Sequence, residues 1–231
     1  MVSQLLFGEF AEVITREKQF IRVRCLGDNY EGWCQSMQLA SFPAGKISHK
    51  PLLTKTWAGS VTINGTQMQV PLGSSLAMFE NGNAAFGAYT LKCDAEGWDP
   101  STITYDPDAL CAFSMQYLNT PYLWGGRSVF GIDCSGFAQQ VFGFFNKKLP
   151  RDAYQQVEVG EDIGFLAEAK PGDLAYFDND EGRIIHVGIL LGPDSIIHAA
   201  GRVRIDQIDA QGIINSETQD RTHRLRIIKR L

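Results

Sequence analysis

The chain has 231 residues, 44% of them hydrophobic and 20% charged, and carries a net charge of −5. Such a length suggests one large domain or two small ones, and the composition is that of a soluble globular protein able to bury a core. The acidic balance argues against a nucleic-acid partner, since phosphate binding shows as a basic surface, and no run approaches the roughly 18 apolar residues of a membrane helix.

The N-terminal stretch MVSQLLFGEFAEVITREK has no basic n-region, and its apolar run is too short for a secretion signal; the expected location is therefore cytoplasmic. Residues 1–98 read as β structure. Short β-branched or aromatic runs at 11–14, Phe20–Cys25, 60–63 and 67–70 are separated by turn signals at Gly27-Asp28-Asn29 and Asn64-Gly65. Asn-Gly between two alternating runs is the strongest short hairpin signal. Many short strands at close spacing suggest small barrels, either one region or two weakly similar modules, 1–48 and 49–98. His49 falls in this part.

Gly97-Trp98-Asp99-Pro100 reads as a boundary, and a second domain is expected over 103–231. Asp106 is an N-cap followed by proline at the first helical position. Leu110, Phe113, Tyr117 and Leu118 then share a helical face, predicting a helix over 107–118. A second helix begins at Cys134, with Phe137, Val141, Phe144 and Phe145 on one face to about Asn146. Past Pro150 the periodicity shortens to strands at 174–177, 184–191 and 195–199, with turns at 179–182 and 192–194. Helices followed by a largely antiparallel sheet define an α+β domain.

The five cysteines, at 25, 34, 93, 111 and 134, form no Cys-x-x-Cys pair and no disulfide framework, in keeping with a reducing compartment. Cys134 stands apart because a helix start presents unpaired N–H groups and the positive end of the dipole. Both favour the thiolate, the reactive form of cysteine. A nucleophile needs a base, and two of the four histidines, His186 and His198, lie in apolar strands. They sit six residues either side of Gly192. A hairpin centred there places them directly opposite each other, with Cβ atoms about 5 Å apart; a turn centred one residue later is expected to break that register. One ring then accepts the Cys134 proton and the other orients it. Zinc held by Cys134, His186 and His198 is the weaker alternative, because a metal would passivate the thiolate. His223 sits in the charged run Arg221-Thr222-His223-Arg224 and is assigned no role.

At these residues the chain resembles the NlpC family of papain-like cysteine peptidases, which cut bacterial cell-wall peptides. The resemblance spans about 105–231 and six blocks in order: Tyr122-Leu-Trp-Gly-Gly126, Asp133-Cys134-Ser135-Gly136-Phe137, Leu149-Pro150-Arg151, Pro171-Gly172-Asp173-Leu174, His186-Val187-Gly188-Ile189 and Ile197-His198-Ala199. It implies a papain-like domain with Cys134 as nucleophile, His186 as base, His198 as orienting residue, and Tyr122 beside the thiol at the oxyanion hole. Trp124 is expected in the substrate cleft. Asp133 and Ser135 resemble the family's binders of a γ-D-glutamyl unit, and both residue types also cap helices well.

The first 45 residues resemble a bacterial SH3-type module, through Leu6-Phe7-Gly8-Glu9 and Asp28-Asn29-Tyr30-Glu31-Gly32-Trp33. Such modules either bind cell wall or close one end of the active site. In the subgroup acting on free muropeptides, an acidic residue after the Leu-Pro-Arg block faces the substrate amine. Asp152 matches it, with Glu9 and Tyr30 as the expected helpers; a serine often follows that acid, whereas Ala153 stands here. The resemblance therefore implies a γ-D-glutamyl-L-diamino acid endopeptidase acting on murein peptides with a free N-terminal L-Ala, in peptide recycling, without metal or cofactor. The rivals are a secreted wall hydrolase anchored by the SH3-type region, a non-catalytic peptidoglycan-binding protein, and an acyltransferase or amidase on the same scaffold. Oligomeric state and the preferred diamino acid are left open.

Overall fold

A computed structural model describes residues 1–48 and 50–231; His49 lies outside the described residues. The chain divides into two compact units, residues 2–103 and 104–231, with Met1 grouped with the latter.

The first unit is all β. Strands β1 (Ala11–Glu17), β2 (Phe20–Cys25) and β3 (Glu31–Gln35) form an antiparallel meander. Strands β4 (Leu53–Thr54), β5 (Ala58–Ile63), β6 (Thr66–Pro71), β7 (Asn83–Phe86), β8 (Tyr89–Lys92) and β9 (Gly97–Trp98) form a β4–β9 pair and a sheet of order β6-β5-β8-β7. Asn64 and Gly65, at φ +48° and +83°, make the expected tight turn between β5 and β6, because a two-residue hairpin needs both central residues left-handed. Val61, Val70, Leu76, Ala84, Leu91 and Cys93 are its core, and Phe7 packs on them. Trp98 pairs with Leu53, so the boundary motif begins inside this unit's last strand.

The second unit has three helices, α1 (Pro107–Ser114), α2 (Cys134–Gly143) and α3 (Ala153–Gln156). Asp106 caps α1 through the Asp108 N–H at 3.0 Å. The helix is shorter than the expected 107–118: it tightens to a 3₁₀ turn at Met115–Tyr117, which rotates Leu118 out of the stripe and leaves it exposed. The strands are β10 (Arg127–Ser128), β11 (Gly131–Ile132), β12 (Glu161–Ile163), β13 (Leu174–Asp178), β14 (Ile184–Leu190), β15 (Ser195–Ala200), β16 (Arg202–Asp209), β17 (Gly212–Ile214) and β18 (Arg221–Arg230). The last seven form an antiparallel sheet of order β12-β18-β13-β14-β15-β16-β17. Because β17 also pairs with β18, six of these strands close into a ring.

Alternation sorts the side chains between the two faces of that ring. Ala175, Phe177, Leu190, Ile196, Ile208, Ile213 and Ile228 form one apolar cluster. Val187, Ile189, Ile197 and Ala199 alternate with that set and are fully buried, where α2 lies against β14 and β15. The unit is thus α+β, with helices on one face of a curled antiparallel sheet. No helix among the described residues is long and apolar enough to cross a membrane.

Candidate active site

Cys134 is the first residue of α2, and Asp133 is its N-cap. The Asp133 carboxylate does more than cap. Oδ1 accepts from the Gly136 N–H at 2.7 Å, and Oδ2 accepts from the Gly125 N–H at 2.8 Å. Arg151 adds a two-pronged ion pair, Nη1 to Oδ1 at 3.1 Å and Nη2 to Oδ2 at 2.6 Å, and Nη1 also donates to Ser135 Oγ at 2.9 Å. Arg151 is only 1% exposed, and a buried guanidinium is tolerable only with such pairing. Gln156 of α3 donates to the Ser135 and Pro150 carbonyls at 3.0 and 2.8 Å. One carboxylate therefore ties together the Gly125 loop, the start of α2 and the Leu-Pro-Arg block. With both oxygens so occupied, Asp133 serves to hold Ser135 and Arg151 in place; sequence reasoning placed Arg151 in a block without giving it a role.

The glycines here are spacers. A Cβ on Gly136 would lie 2.4 Å from the Gly126 carbonyl oxygen, and one on Gly126 would lie 2.4 Å from that of Gly131. The loop can rest on the helix start only without them. Its Tyr122 forms a bridge with Ile132, and its N–H donates to the Gly201 carbonyl at 2.9 Å. Burial raises the Tyr122 phenol to about 12, and the nearby negative charge of a Cys134 thiolate and of Asp133 adds to the shift. The hydroxyl thus stays protonated beside the thiol, as a donor. Trp124, by contrast, is 68% exposed at the loop tip.

The histidines meet by a route other than the one expected. His198 lies opposite Gly188, and Leu190 opposite Ile196, so the hairpin centres on Pro193 and not on Gly192. Moving the centre by one residue slides the register by two. That preserves the face, and His186 and His198 become diagonal neighbours within reach of one another. His186 Nε2 and His198 Nδ1 are 2.8 Å apart. Gly188 makes this possible: a Cβ there would lie 2.9 Å from the His198 Cβ and 2.6 Å from Ile196 Cδ1.

Two further residues complete the cluster. His198 Nε2 is 2.9 Å from Asp206 Oδ2. His223 stacks on His186, with centroids 4.2 Å apart and planes at 27°. Sequence reasoning missed both because β16 and β18 were not resolved as separate strands. A signal for Asp206 exists: a hairpin centred on Gly201 puts Arg204 opposite His198 and Asp206 diagonal to it. For His223 the charged neighbours Arg221 and Arg224 disguised a ring that alternation turns inward.

Burial opposes ionisation of both the His186 ring and the Cys134 thiol. Burial, then the neighbouring His198 and His223, hold His186 well below the usual imidazole range. Burial and the charge of Asp133 push the Cys134 thiol up to about 12, against the backbone N–H groups of Val187 and Ser135 that favour the thiolate. Burial, with the charge of Asp133 behind it, thus opposes the thiolate that the helix start favours. Burial would also raise Asp206, but hydrogen bonds from His198, Ser216 and Arg204 outweigh it and hold the carboxyl well below its usual range. No cluster of metal-ligating residues with metal-binding geometry is found among the described residues.

Asp152 is the N-cap of α3, its N–H donating to Gln155 Oε1 at 3.3 Å in a capping box. Glu9 and Tyr30 belong to the first unit. There Glu9 Oε2 accepts from the Leu6 N–H at 2.8 Å, and the Tyr30 N–H donates to Asp28 Oδ1 at 3.0 Å.

A helix-start thiol, an imidazole chain ending in a carboxylate, and an α+β domain with its helices on an antiparallel sheet define the papain-like class of cysteine peptidases. Residues 119–222 match the NlpC/P60 family, and residues 1–39 match the bacterial dipeptidyl-peptidase SH3 domain. The chain carries an NlpC/P60 peptidase domain preceded by a bacterial SH3 domain. A gamma-D-glutamyl-L-lysine dipeptidyl-peptidase from Bacillus subtilis is 28% identical over 85% of this chain and 71% of its own length. A protein of the same name from Bacillus cereus is 24% identical over 85% of this chain, which spans 66% of that relative. The crystal structure of an NlpC/P60 family protein from Bacillus cereus superposes with a TM-score of 0.82 at 22% identity, over 99% of this chain and 81% of the other, and shares the fold.

Proposed function

We propose that the protein hydrolyses the bond between γ-D-glutamate and an L-diamino acid in murein peptides that begin with a free L-Ala, releasing L-Ala-γ-D-Glu, and that it does so in cytoplasmic peptide recycling. The observation that carries the peptidase chemistry is the 2.8 Å contact between His186 and His198, on the strand whose Val187 backbone bonds the thiol. The names of the two Bacillus relatives support the substrate. So does the Arg151–Ser135 arrangement beside the nucleophile, a cation and a hydroxyl suited to the free α-carboxylate of a γ-linked glutamate.

Cys134 Sγ attacks the γ-carbonyl carbon as its proton passes to His186. The carbonyl oxygen becomes an oxyanion held by N–H groups at the start of α2 and by the Tyr122 hydroxyl. Collapse breaks the C–N bond, and the His186 proton goes to the leaving amine. The thioester is then hydrolysed by water, deprotonated by His186, which restores the thiol and frees the dipeptide. A buried substrate ammonium requires a carboxylate acceptor, the role proposed for Asp152.

The test compares L-Ala-γ-D-Glu-L-lysine and its diaminopimelate analogue, each free and N-acetylated. Cleavage of the free peptides alone is expected. Equal cleavage of the acetylated forms would overturn the amine-gated reading, and no cleavage of either would overturn the substrate.

A further inference from the structure

Asp206 lies beyond the histidine pair, on β16, and is only 3% exposed. Its two oxygens face different partners. Oδ2 faces His198 Nε2 at 2.9 Å. Oδ1 accepts from the Ser216 N–H at 2.9 Å, from Ser216 Oγ at 2.8 Å and from Arg204 Nη2 at 3.0 Å. Arg204 Nε also lies 2.8 Å from Oδ2, but its N–H is not aligned for a bond. The carboxylate is therefore clamped from one side and offers its other oxygen to a single imidazole.

We propose that Asp206 is a positioning residue that sets the tautomer of both histidines, so that His186 keeps Nδ1 bare and able to accept a proton. An ionised carboxylate can only accept, so the His198 proton sits on Nε2. Neutral His198 then has a bare Nδ1, which accepts from His186 Nε2–H across the 2.8 Å contact. Neutral His186, its one proton on Nε2, has its lone pair on Nδ1, the form a general base requires. When His186 takes the thiol proton, the same chain lies between the imidazolium and the negative charge of Asp206. The effect passes through two rings, so Asp206 need touch neither thiol nor substrate.

The clamp also fixes what an amide would do in this place. In Asp206→Asn the carbonyl oxygen takes the Oδ1 position, where three donors converge, and the NH₂ turns to His198. It donates to His198 Nε2, which moves the His198 proton to Nδ1 and the His186 proton to Nδ1. His186 then carries a proton on the nitrogen that must accept one. Asp206→Ala imposes neither tautomer. The near-isosteric Asn variant is thus expected to be the worse enzyme, with kcat lower by about 10³–10⁴-fold and KM within a few-fold, as for other inverted catalytic imidazoles. The Ala variant is expected to lose about 10–100-fold, as when a group that only orients a functional imidazole is removed. A purely structural role for Asp206 predicts the reverse order, because Asn preserves the volume and most of the hydrogen bonds.

This ordering rests on the peptidase reading, because it needs turnover. A measurement on the unmodified full chain does not. Two-bond ¹⁵N–¹H spectra of ¹⁵N-histidine-labelled protein at neutral pH should show the Nε2–H tautomer for both His186 and His198. An Nδ1–H tautomer at either ring would overturn the proposal whatever the substrate and whether or not the variants fold. An Ala variant slower than the Asn variant would overturn it equally.

Discussion

The two sides of the proposed active site are built differently. The nucleophile side is local: Asp133, Cys134 and Ser135 are consecutive, and Gly125 and Arg151 join them from within 20 residues. The base side is assembled from β14, β15, β16 and β18, with His186 and His223 separated by 37 positions of chain. The first is held by one buried ion pair, the second by strand register and a run of directional hydrogen bonds. Damage to the first should be felt mainly as lost stability, and damage to the second mainly as lost turnover.

The exception on the nucleophile side is the sulfur itself. Cys134→Ala should reduce peptide turnover below detection, the largest effect expected, while thermal and urea unfolding change little. Full activity in that variant would disprove the nucleophile assignment. Arg151→Ala should then separate the two sides most sharply. It strands the Asp133 carboxylate in a buried site, a change that costs about 3–5 kcal/mol where one partner of a buried pair is removed. Urea unfolding measures it, and unaltered stability would show that the ion pair is not what holds the loop.

Gly188→Ala probes the base side. The added methyl group meets the His198 Cβ at 2.9 Å, so the ring must shift. Overpacking of this kind costs about 1–3 kcal/mol, and misplacement by an ångström costs about 100-fold in rate. A steady-state assay should show the drop in kcat exceeding what the stability loss explains.

These contacts also mark the limit of what the sequence discloses. Cys134 and its cap were legible because a helix start is written in consecutive residues. The Asn64-Gly65 hairpin was legible for the same reason. The histidine pair was legible only as a pair on one face, since period-two alternation survives a two-residue slip and the turn centre does not announce itself. Asp206 and His223 were hidden because their positions depend on strands pairing across four segments, and Arg151 because one arginine in a loop looks like any other until its burial is seen.

The smallest expected effect is a pH dependence of stability. His223 is held neutral by burial, and then by His198, with its pKa lowered to about 4 from an ordinary 6.5, and His186 is shifted in the same direction. Below 6.5 the unfolded chain binds protons that the folded chain refuses, so stability is full above that pH and falls as pH drops from 6.5 towards 4. His223→Phe preserves a ring against His186 and removes one titrating group. Its stability should decline less over that window, by on the order of 1–3 kcal/mol, as followed by denaturant unfolding at several pH values. Parallel curves for the two proteins would show that His223 titrates in the folded state as it does in water.

The chemistry itself is tested most directly by trapping the intermediate. Acid quenching within the first turnovers on L-Ala-γ-D-Glu-L-lysine, followed by peptide mapping with mass spectrometry, should find an L-Ala-γ-D-Glu acyl group on Cys134 and nowhere else. Continued turnover with no acyl group on that sulfur, or with the group on another residue, would contradict it.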